Sequence, residues 1–328
     1  MLKDQFGREI TYLRISVTDR CNLRCVYCMP PEGVAWQPHG SILTFEEIAE
    51  IVRIAAENGV NEIRLTGGEP LVRADLPILV KMISSIPGIQ DISLTTNGLL
   101  LEKMLPALVD AGLKRINVSL DTLKPEKYAR ITRGGSFEKV WRGLETADQA
   151  GLSPIKINSV AMRGVNDDEI IDLAKLTITR PWHVRFIELM PIMNQALWGE
   201  GFPAPSEIYY SIQNMMELLE PLGLKKCSDV VGSGPAQEYQ LRGALGKVGF
   251  ISPLGEQFCE RCNRLRLTAD GHLRPCLVDD LEVAVLPAIR SGQPILPLIK
   301  AAVALKPESH ELTHNAHTTG RCMMQIGG

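Results

Sequence analysis

Cys21, Cys25 and Cys28, in the run Asp19-Arg20-Cys21-Asn22-Leu23-Arg24-Cys25-Val26-Tyr27-Cys28, carry the clearest chemistry in this 328-residue chain. A C-x3-C-x2-C loop can present three thiolates to one face of a cubane iron–sulfur cluster. Such clusters normally take four cysteines, so three leave one iron open to a ligand that is not protein. An open coordination position marks a reacting site rather than a closed structural one. The rival is zinc completed by a distant residue such as His39, although zinc sites favour paired C-x2-C units over a staggered triplet. Arg20 and Arg24 would offset the charge of a thiolate-bound cluster.

A second set, Cys259-x2-Cys262-x13-Cys276, again supplies three thiolates, with Asn263-Arg264-Leu265-Arg266 after its second member. His272 could complete a Cys3His zinc site here. A second open cluster accounts better for the basic residues, because an anionic substrate would then sit between two clusters. Cys227 and Cys322 fit neither set and read as packing or free thiols.

Eight cysteines in a chain whose first residues lack an apolar signal segment point to metal or redox chemistry in a reducing, cytoplasmic setting. No run of about eighteen apolar residues exists to span a membrane. The net charge of −3, from 35 basic and 38 acidic residues, provides no global field for nucleic acid. Any anionic substrate must be held by local cations.

From Ile10 to about Leu189, short β-rich runs alternate with helical patterns, the signature of βα units on a parallel sheet. The strands read as Tyr12–Val17, Glu62–Thr66, Asp91–Thr95, Arg115–Leu120, Ile155–Val160 and His183–Glu188. Helices read as Phe45–Glu57, Pro77–Ile86, Glu102–Ala111, Phe137–Ala150 and Asp167–Lys175. Thr44 and Glu47 form a capping box for the first helix, and Gly59, Gly112 and Gly151 stand where left-handed caps belong. Six units fall short of the eight of a closed barrel. The expected fold is therefore α/β, a partial (βα)6 TIM-like barrel whose opening is closed by a C-terminal segment. The Pro- and Gly-rich stretch from Pro203 to Pro235 divides a core of residues 1–235 from a substrate and second-cluster region of residues 236–328. In the latter, Tyr239–Leu241 and Lys247–Ile251 read as a hairpin.

Chemistry in such barrels is built at the C-terminal ends of the strands, and the unusual segments fall there. They are the first cysteine triplet, Gly67-Gly68-Glu69-Pro70, Thr95-Thr96-Asn97-Gly98, Ser119-Leu120-Asp121-Thr122, Asn158, and Arg185 to Pro191. A Gly-Gly pair lets a ligand meet backbone directly.

The first triplet with Tyr27 before its last cysteine, followed by Gly67-Gly68-Glu69-Pro70, resembles the radical S-adenosylmethionine superfamily. Tyr12-Leu13-Arg14-Ile15-Ser16-Val17-Thr18-Asp19, Gly234-Pro235-Ala236, the second triplet with its Asn-Arg-Leu-Arg run, and the terminal Gly327-Gly328 narrow the resemblance. They match the GTP 3′,8-cyclase family of molybdenum-cofactor biosynthesis over nearly the whole chain. The resemblance implies two 4Fe–4S clusters, each held by three cysteines, and S-adenosylmethionine on the first. It implies a 5′-deoxyadenosyl radical that removes the ribose C3′ hydrogen of GTP, after which C3′ attacks guanine C8. Tyr27, Gly68, Ser119 and Met190 then match positions that hold S-adenosylmethionine. Arg14, Arg64, Thr95, Lys156, Arg264, Leu265 and Arg266 match nucleotide-contacting positions, and Arg185 is added for the triphosphate. Arg14, Arg264, Arg266, Gly327 and Gly328 would serve turnover itself. The implied partners are a flavodoxin- or ferredoxin-like electron donor and a downstream cyclic pyranopterin monophosphate synthase, with a homodimer left open.

Two expectations are specific to this chain. Glu62 stands where the family commonly has lysine, and is expected to point outward so as not to repel phosphate. The tail is expected to thread into the cavity and to bring Arg321 towards the radical site.

Two rival readings remain. His310-Glu311-Leu312-Thr313-His314 fits the H-E-x-x-H zinc-protease pattern, with His317 as the one evident third ligand. A two-cluster electron carrier would need neither a barrel of this size nor substrate-facing arginines, and carriers give four ligands to each cluster.

Overall fold

The computed structural model describes residues 1–190, 202–228, 234–254, 258–310, 312 and 321–327. Six strands run parallel in sequence order: β1 (Tyr12–Ser16), β2 (Glu62–Thr66), β3 (Asp91–Thr96), β4 (Arg115–Ser119), β5 (Lys156–Ala161) and β6 (His183–Glu188). Between them lie α1 (Phe45–Glu57), α2 (Leu76–Ser84), α3 (Leu101–Asp110), α4 (Pro125–Thr132), α5 (Phe137–Gln149) and α6 (Ile170–Thr179). After α7 (Pro205–Ile208) and α8 (Ile212–Leu219) come the short β7 (Lys225–Lys226), then β8 (Gln237–Gln240) and β9 (Lys247–Ile251). The chain continues through β10 (Arg264–Leu267), β11 (His272–Arg274), β12 (Val283–Ala284), α9 (Leu286–Arg290) and α10 (Leu296–Ala304).

The last third of the chain completes the sheet from both sides. β9 pairs parallel with β6, and β10 pairs parallel with β1. The twelve strands form one sheet in the order β12-β11-β10-β1-β2-β3-β4-β5-β6-β9-β8-β7. The expected hairpin is present as β8 and β9, but it is also an extension of the βα core. The expected capping box is present, with Thr44 Oγ1 accepting from Glu47 N–H and Glu47 Oε2 from Thr44 N–H. Gly59, Gly112 and Gly151 all have positive φ.

Period-two alternation divides the two faces of the sheet. Ile63 and Leu65 of β2, Ile92 and Leu94 of β3, and Ile116 and Val118 of β4 join Ile48, Leu79, Leu105 and Leu144 of the helices in one apolar core. The other face of the same strands carries Arg14, Arg64, Ser93, Asn117, Lys156 and Arg185. Helix α4 was not expected. Its eight residues bury only Tyr128, Ile131 and Thr132, so its apolar signal is faint. Among the described residues no helix is long and apolar enough to cross a membrane.

Candidate active site

Strand register brings the cations of the inner face together. Arg14 is the register partner of Arg266 on one side and Arg64 on the other. Across the sheet, Asn117 faces Lys156 and Asn158 faces Arg185. A cavity opens over these residues, lined by Arg14, Arg64, Thr95, Arg185, Arg264 and Arg266. Met190 stands at one side and Cys259, Cys262 and Cys276 form another wall.

The charges in this cavity repel one another. Burial and then the guanidiniums of Arg266, Arg64 and Arg264 hold Arg14 well below the ordinary arginine range. Arg185 is lowered to about 10 by burial and Arg64. Lys156, beneath the cavity, is lowered to about 7 by burial, Arg185, Arg115 and Arg64. Cations gathered this way, out of water, form a site for an anion.

The first cysteine triplet lies beyond β1 with all three thiols free. Burial raises Cys25, and the neighbouring Cys28 and Cys21 raise it further, which places the three sulfurs within electrostatic reach of one another. Gly68 approaches this loop so closely that a Cβ there would stand 2.3 Å from Arg20 O. Two buried carboxylates hold the surroundings. Glu69 Oε1 accepts from Thr96 Oγ1–H at 2.6 Å and Oε2 from Asn97 N–H at 2.7 Å, joining the loops after β2 and β3. Asp121 Oδ2 accepts from the Tyr27 hydroxyl and Oδ1 from Val160 N–H, both at 2.8 Å, joining the cysteine loop to β5. Burial raises Glu69 to about 7 and Asp121 to about 6. The donor set fits a cubane cluster: three thiols on one loop, against a backbone stripped of side chains at Gly68.

The second triplet sits at the opposite wall in a different electrostatic setting. Burial opposes ionisation of Cys262, but Arg264 and Lys306 prevail and bring the thiol to about 6. Lys306 is itself buried, and its Nζ donates to Arg264 O at 2.9 Å and Pro275 O at 2.8 Å. Arg8 donates to Cys259 O at 2.8 Å. Between the two walls runs the C-terminal tail. Arg266 Nη1 donates to Gly327 O at 3.1 Å, and a Cβ on Gly327 would stand 2.8 Å from Thr66 Cγ2.

Comparison with known proteins decides what this arrangement is. Residues 15–177 match the radical SAM superfamily and residues 182–312 match Molybdenum Cofactor Synthesis C. The chain is 53% identical to the GTP 3′,8-cyclase of Pelotomaculum thermopropionicum, with 100% of each chain covered. It is 49% identical to that of Moorella thermoacetica, again over 100% of both. The chain belongs to the GTP 3′,8-cyclase family. Among solved structures, Streptococcus suis SuiB bound to its precursor peptide SuiA superposes with a TM-score of 0.57 at 17% identity. That superposition covers 83% of this chain and 60% of SuiB, and it bears on fold alone.

Of the sequence-expected residues, Arg14, Arg64, Thr95, Arg185, Met190, Arg264, Arg266 and the second triplet line the cavity, whereas the first triplet, Tyr27, Gly68, Ser119 and Lys156 are not among its lining. Leu265 is different: its side chain is in the apolar core with Leu13 and Leu267. Gly328 lies outside the described residues, as do Glu311, Thr313, His314 and His317 of the H-E-x-x-H reading. His310 follows α10 in irregular backbone, so no helix presents it. It lines the cavity, and its backbone N–H bonds Cys259.

One expectation, that for Glu62, needs correction. Glu62 does not point outward; it shares the face of β2 with Arg64, and its carboxylate lies 3.6 Å from Arg115 at the N-terminal rim of the sheet. The Arg321 guanidinium is paired with Asp270 at 2.9 Å and Glu282 at 2.6 Å beside the β10–β11 turn. Cys322 is a free thiol packed against the Val26 and Ile131 cluster, in keeping with the packing reading, and its charge acts on Cys28. Against the zinc alternative at the second triplet, His272 is turned to Asp270 at 3.3 Å. Arg8 and Lys306 were missed, because nothing in their local sequence marks them and only tertiary folding brings them to the cysteines; His310 was marked only by the H-E-x-x-H pattern, not as a neighbour of Cys259.

Proposed function

We propose that this chain converts GTP to (8S)-3′,8-cyclo-7,8-dihydroguanosine 5′-triphosphate in molybdenum-cofactor biosynthesis. The observation that carries the reading is the gathering of Arg14, Arg64, Arg264 and Arg266 in one cavity walled by the second cysteine triplet. Supporting it are the full-length relatives named as GTP 3′,8-cyclases.

Cys21, Cys25 and Cys28 would hold the first 4Fe–4S cluster, and Cys259, Cys262 and Cys276 a second. When bound, the first supplies the electron that splits S-adenosylmethionine to a 5′-deoxyadenosyl radical, and the second anchors the guanine edge. The chain's own residues bind, orient and exclude water. Tyr27, Gly68, Ser119 and Met190 form the S-adenosylmethionine side, with Tyr27 fixed by Asp121 and Gly68 admitting the close approach of backbone. Arg64, Lys156 and Arg185 face the triphosphate, where planar guanidiniums grip phosphate oxygens in pairs. Thr95 and Arg14 lie between the two ends. Arg264 and Arg266 flank the base end, and Arg266 also pins the tail at Gly327. This division of labour follows the split at residue 235, with radical generation in the core and base recognition beyond it. The donor of electrons would be flavodoxin- or ferredoxin-like, and the product would pass to a cyclic pyranopterin monophosphate synthase.

The test is an anaerobic assay of iron-reconstituted protein with dithionite, S-adenosylmethionine and GTP deuterated at C3′. Deuterium should appear in 5′-deoxyadenosine as GTP is consumed. Deoxyadenosine without deuterium would remove GTP as the substrate, and no cleavage at full iron loading would favour an electron carrier.

A further inference from the structure

Arg133 closes α4 in a backbone conformation that suits glycine, with φ 54° and ψ 55°. A Cβ is disfavoured in that left-handed region, so an arginine there calls for a reason. Its side chain gives one. Nη1 donates to Arg24 O and to Met29 O, both at 3.0 Å. Those two carbonyls immediately precede Cys25 and follow Cys28, so one guanidinium spans both ends of the segment bearing two of the three thiols.

The same corner grips the loop through main chain. Arg24 N–H donates to Thr132 O at 3.1 Å and Val26 N–H to Ile131 O at 3.0 Å. The corner must approach closely for this: a Cβ on Gly135 would stand 2.6 Å from Thr132 Oγ1 and 3.0 Å from Leu23 Cδ2. Arg133 also acts electrostatically on Cys25. From the helix end, the guanidinium meets both carbonyls through one nitrogen, and the left-handed turn places it there.

We infer that Arg133 is a positioning residue for the first cluster. Its guanidinium fixes both ends of the Cys25–Cys28 segment and keeps a positive charge beside the cluster, favouring the reduced state. The inference rests on the proposed first cluster. A fixed cation stabilises the added electron of a reduced centre, and hydrogen bonds and charge around a cluster set its potential.

The test uses full-length, anaerobically reconstituted protein as wild type, Arg133→Gly and Arg133→Lys. Glycine suits the left-handed backbone, so Arg133→Gly removes the guanidinium without adding strain. Lysine keeps the charge but not the two-carbonyl grip. The first cluster is identified as the reduced electron paramagnetic resonance signal that changes on adding S-adenosylmethionine. Its midpoint potential and the rate of iron loss to a chelator are then measured. Arg133→Gly should shift that midpoint to more negative values and speed iron loss about tenfold, the scale on which outer-shell partners act. Arg133→Lys should keep most of the potential but lose iron faster than wild type. Wild-type midpoint and chelator resistance in both variants would overturn the inference. A wild type with no signal responsive to S-adenosylmethionine would instead remove the cluster reading, and this role with it.

Discussion

Arg14 of β1 and Arg266 of β10 are register partners on neighbouring parallel strands, so two guanidiniums from opposite ends of the chain face one cavity. An anion bound between them would relieve their mutual repulsion. Arg266→Ala should weaken GTP binding about thirtyfold, as expected when one member of a buried charge contact is truncated. S-adenosylmethionine binding should stay unchanged. Equilibrium titration of both ligands under anaerobic conditions checks this, and equal losses would point to general collapse of the cavity.

Lys156 makes GTP binding depend on pH. In the free protein its ammonium is held down to about 7 by burial, Arg185, Arg115 and Arg64. Triphosphate would favour the charged form, so binding above pH 7 must take up a proton. Affinity should therefore fall as pH rises past 7, by up to about tenfold per unit. Lys156→Met should flatten the profile. The sign for stability is opposite: above pH 7 the unfolded lysine still holds the proton that the folded one has lost. Folded stability should then rise with pH until the unfolded lysine value, about 10.4, is reached.

Gly68→Ala tests the close approach behind the first cysteine loop. The new Cβ would stand 2.3 Å from Arg20 O, a contact that must push the loop away. We expect loss of S-adenosylmethionine cleavage and about half the iron of wild type after reconstitution, since one of the two proposed clusters would be lost. Wild-type iron content with intact cleavage would show that the loop yields without cost.

Gly327→Ala addresses the tail. Gly327 has φ +71° and lies against Thr66, so a side chain should displace it from the grip of Arg266. Turnover should fall about tenfold or more, while the melting temperature stays within about 2 °C because few core contacts are involved. Deleting Gly327 and Gly328 should do the same. Unchanged turnover in the deletion would make the tail a passive cover.

The second cysteine wall should respond to its buried lysine. Lys306 Nζ joins the Arg264 and Pro275 carbonyls, tying together the segments that bear Cys262 and Cys276. Lys306→Met should speed chelator-driven loss of the second cluster about tenfold, leaving cleavage of S-adenosylmethionine without GTP intact. Equal iron retention in both proteins would mean that the cysteines need no such tie.

The sequence made the first cysteine loop, the Gly-Gly loop and the six strand positions legible because each is a local pattern: fixed spacing, alternation, or punctuation by glycine. Helix α4 was not, since Pro125–Thr132 buries too few residues to show a period. β10 read as a basic motif rather than a strand, four residues being too short to display alternation convincingly. Arg8, Lys306 and Arg133 are cations whose importance depends on which carbonyls the fold carries to them. The partners of Arg321 were hidden for the complementary reason: Asp270 and Glu282 are distant in sequence, and only the turn beyond β10 sets them beside it.

The pairing of β9 with β6 and of β10 with β1 has a consequence during synthesis. A nascent chain that has made β1 through β6 presents two bare strand edges, one on each flank, and such edges are templates for pairing with other chains. The β6 edge stays bare until β9 is complete at Ile251, and the β1 edge until β10 is complete at Leu267. The two portions therefore cannot be exchanged or expressed apart as self-sufficient modules, and a truncation after β6 should aggregate rather than survive as a smaller enzyme.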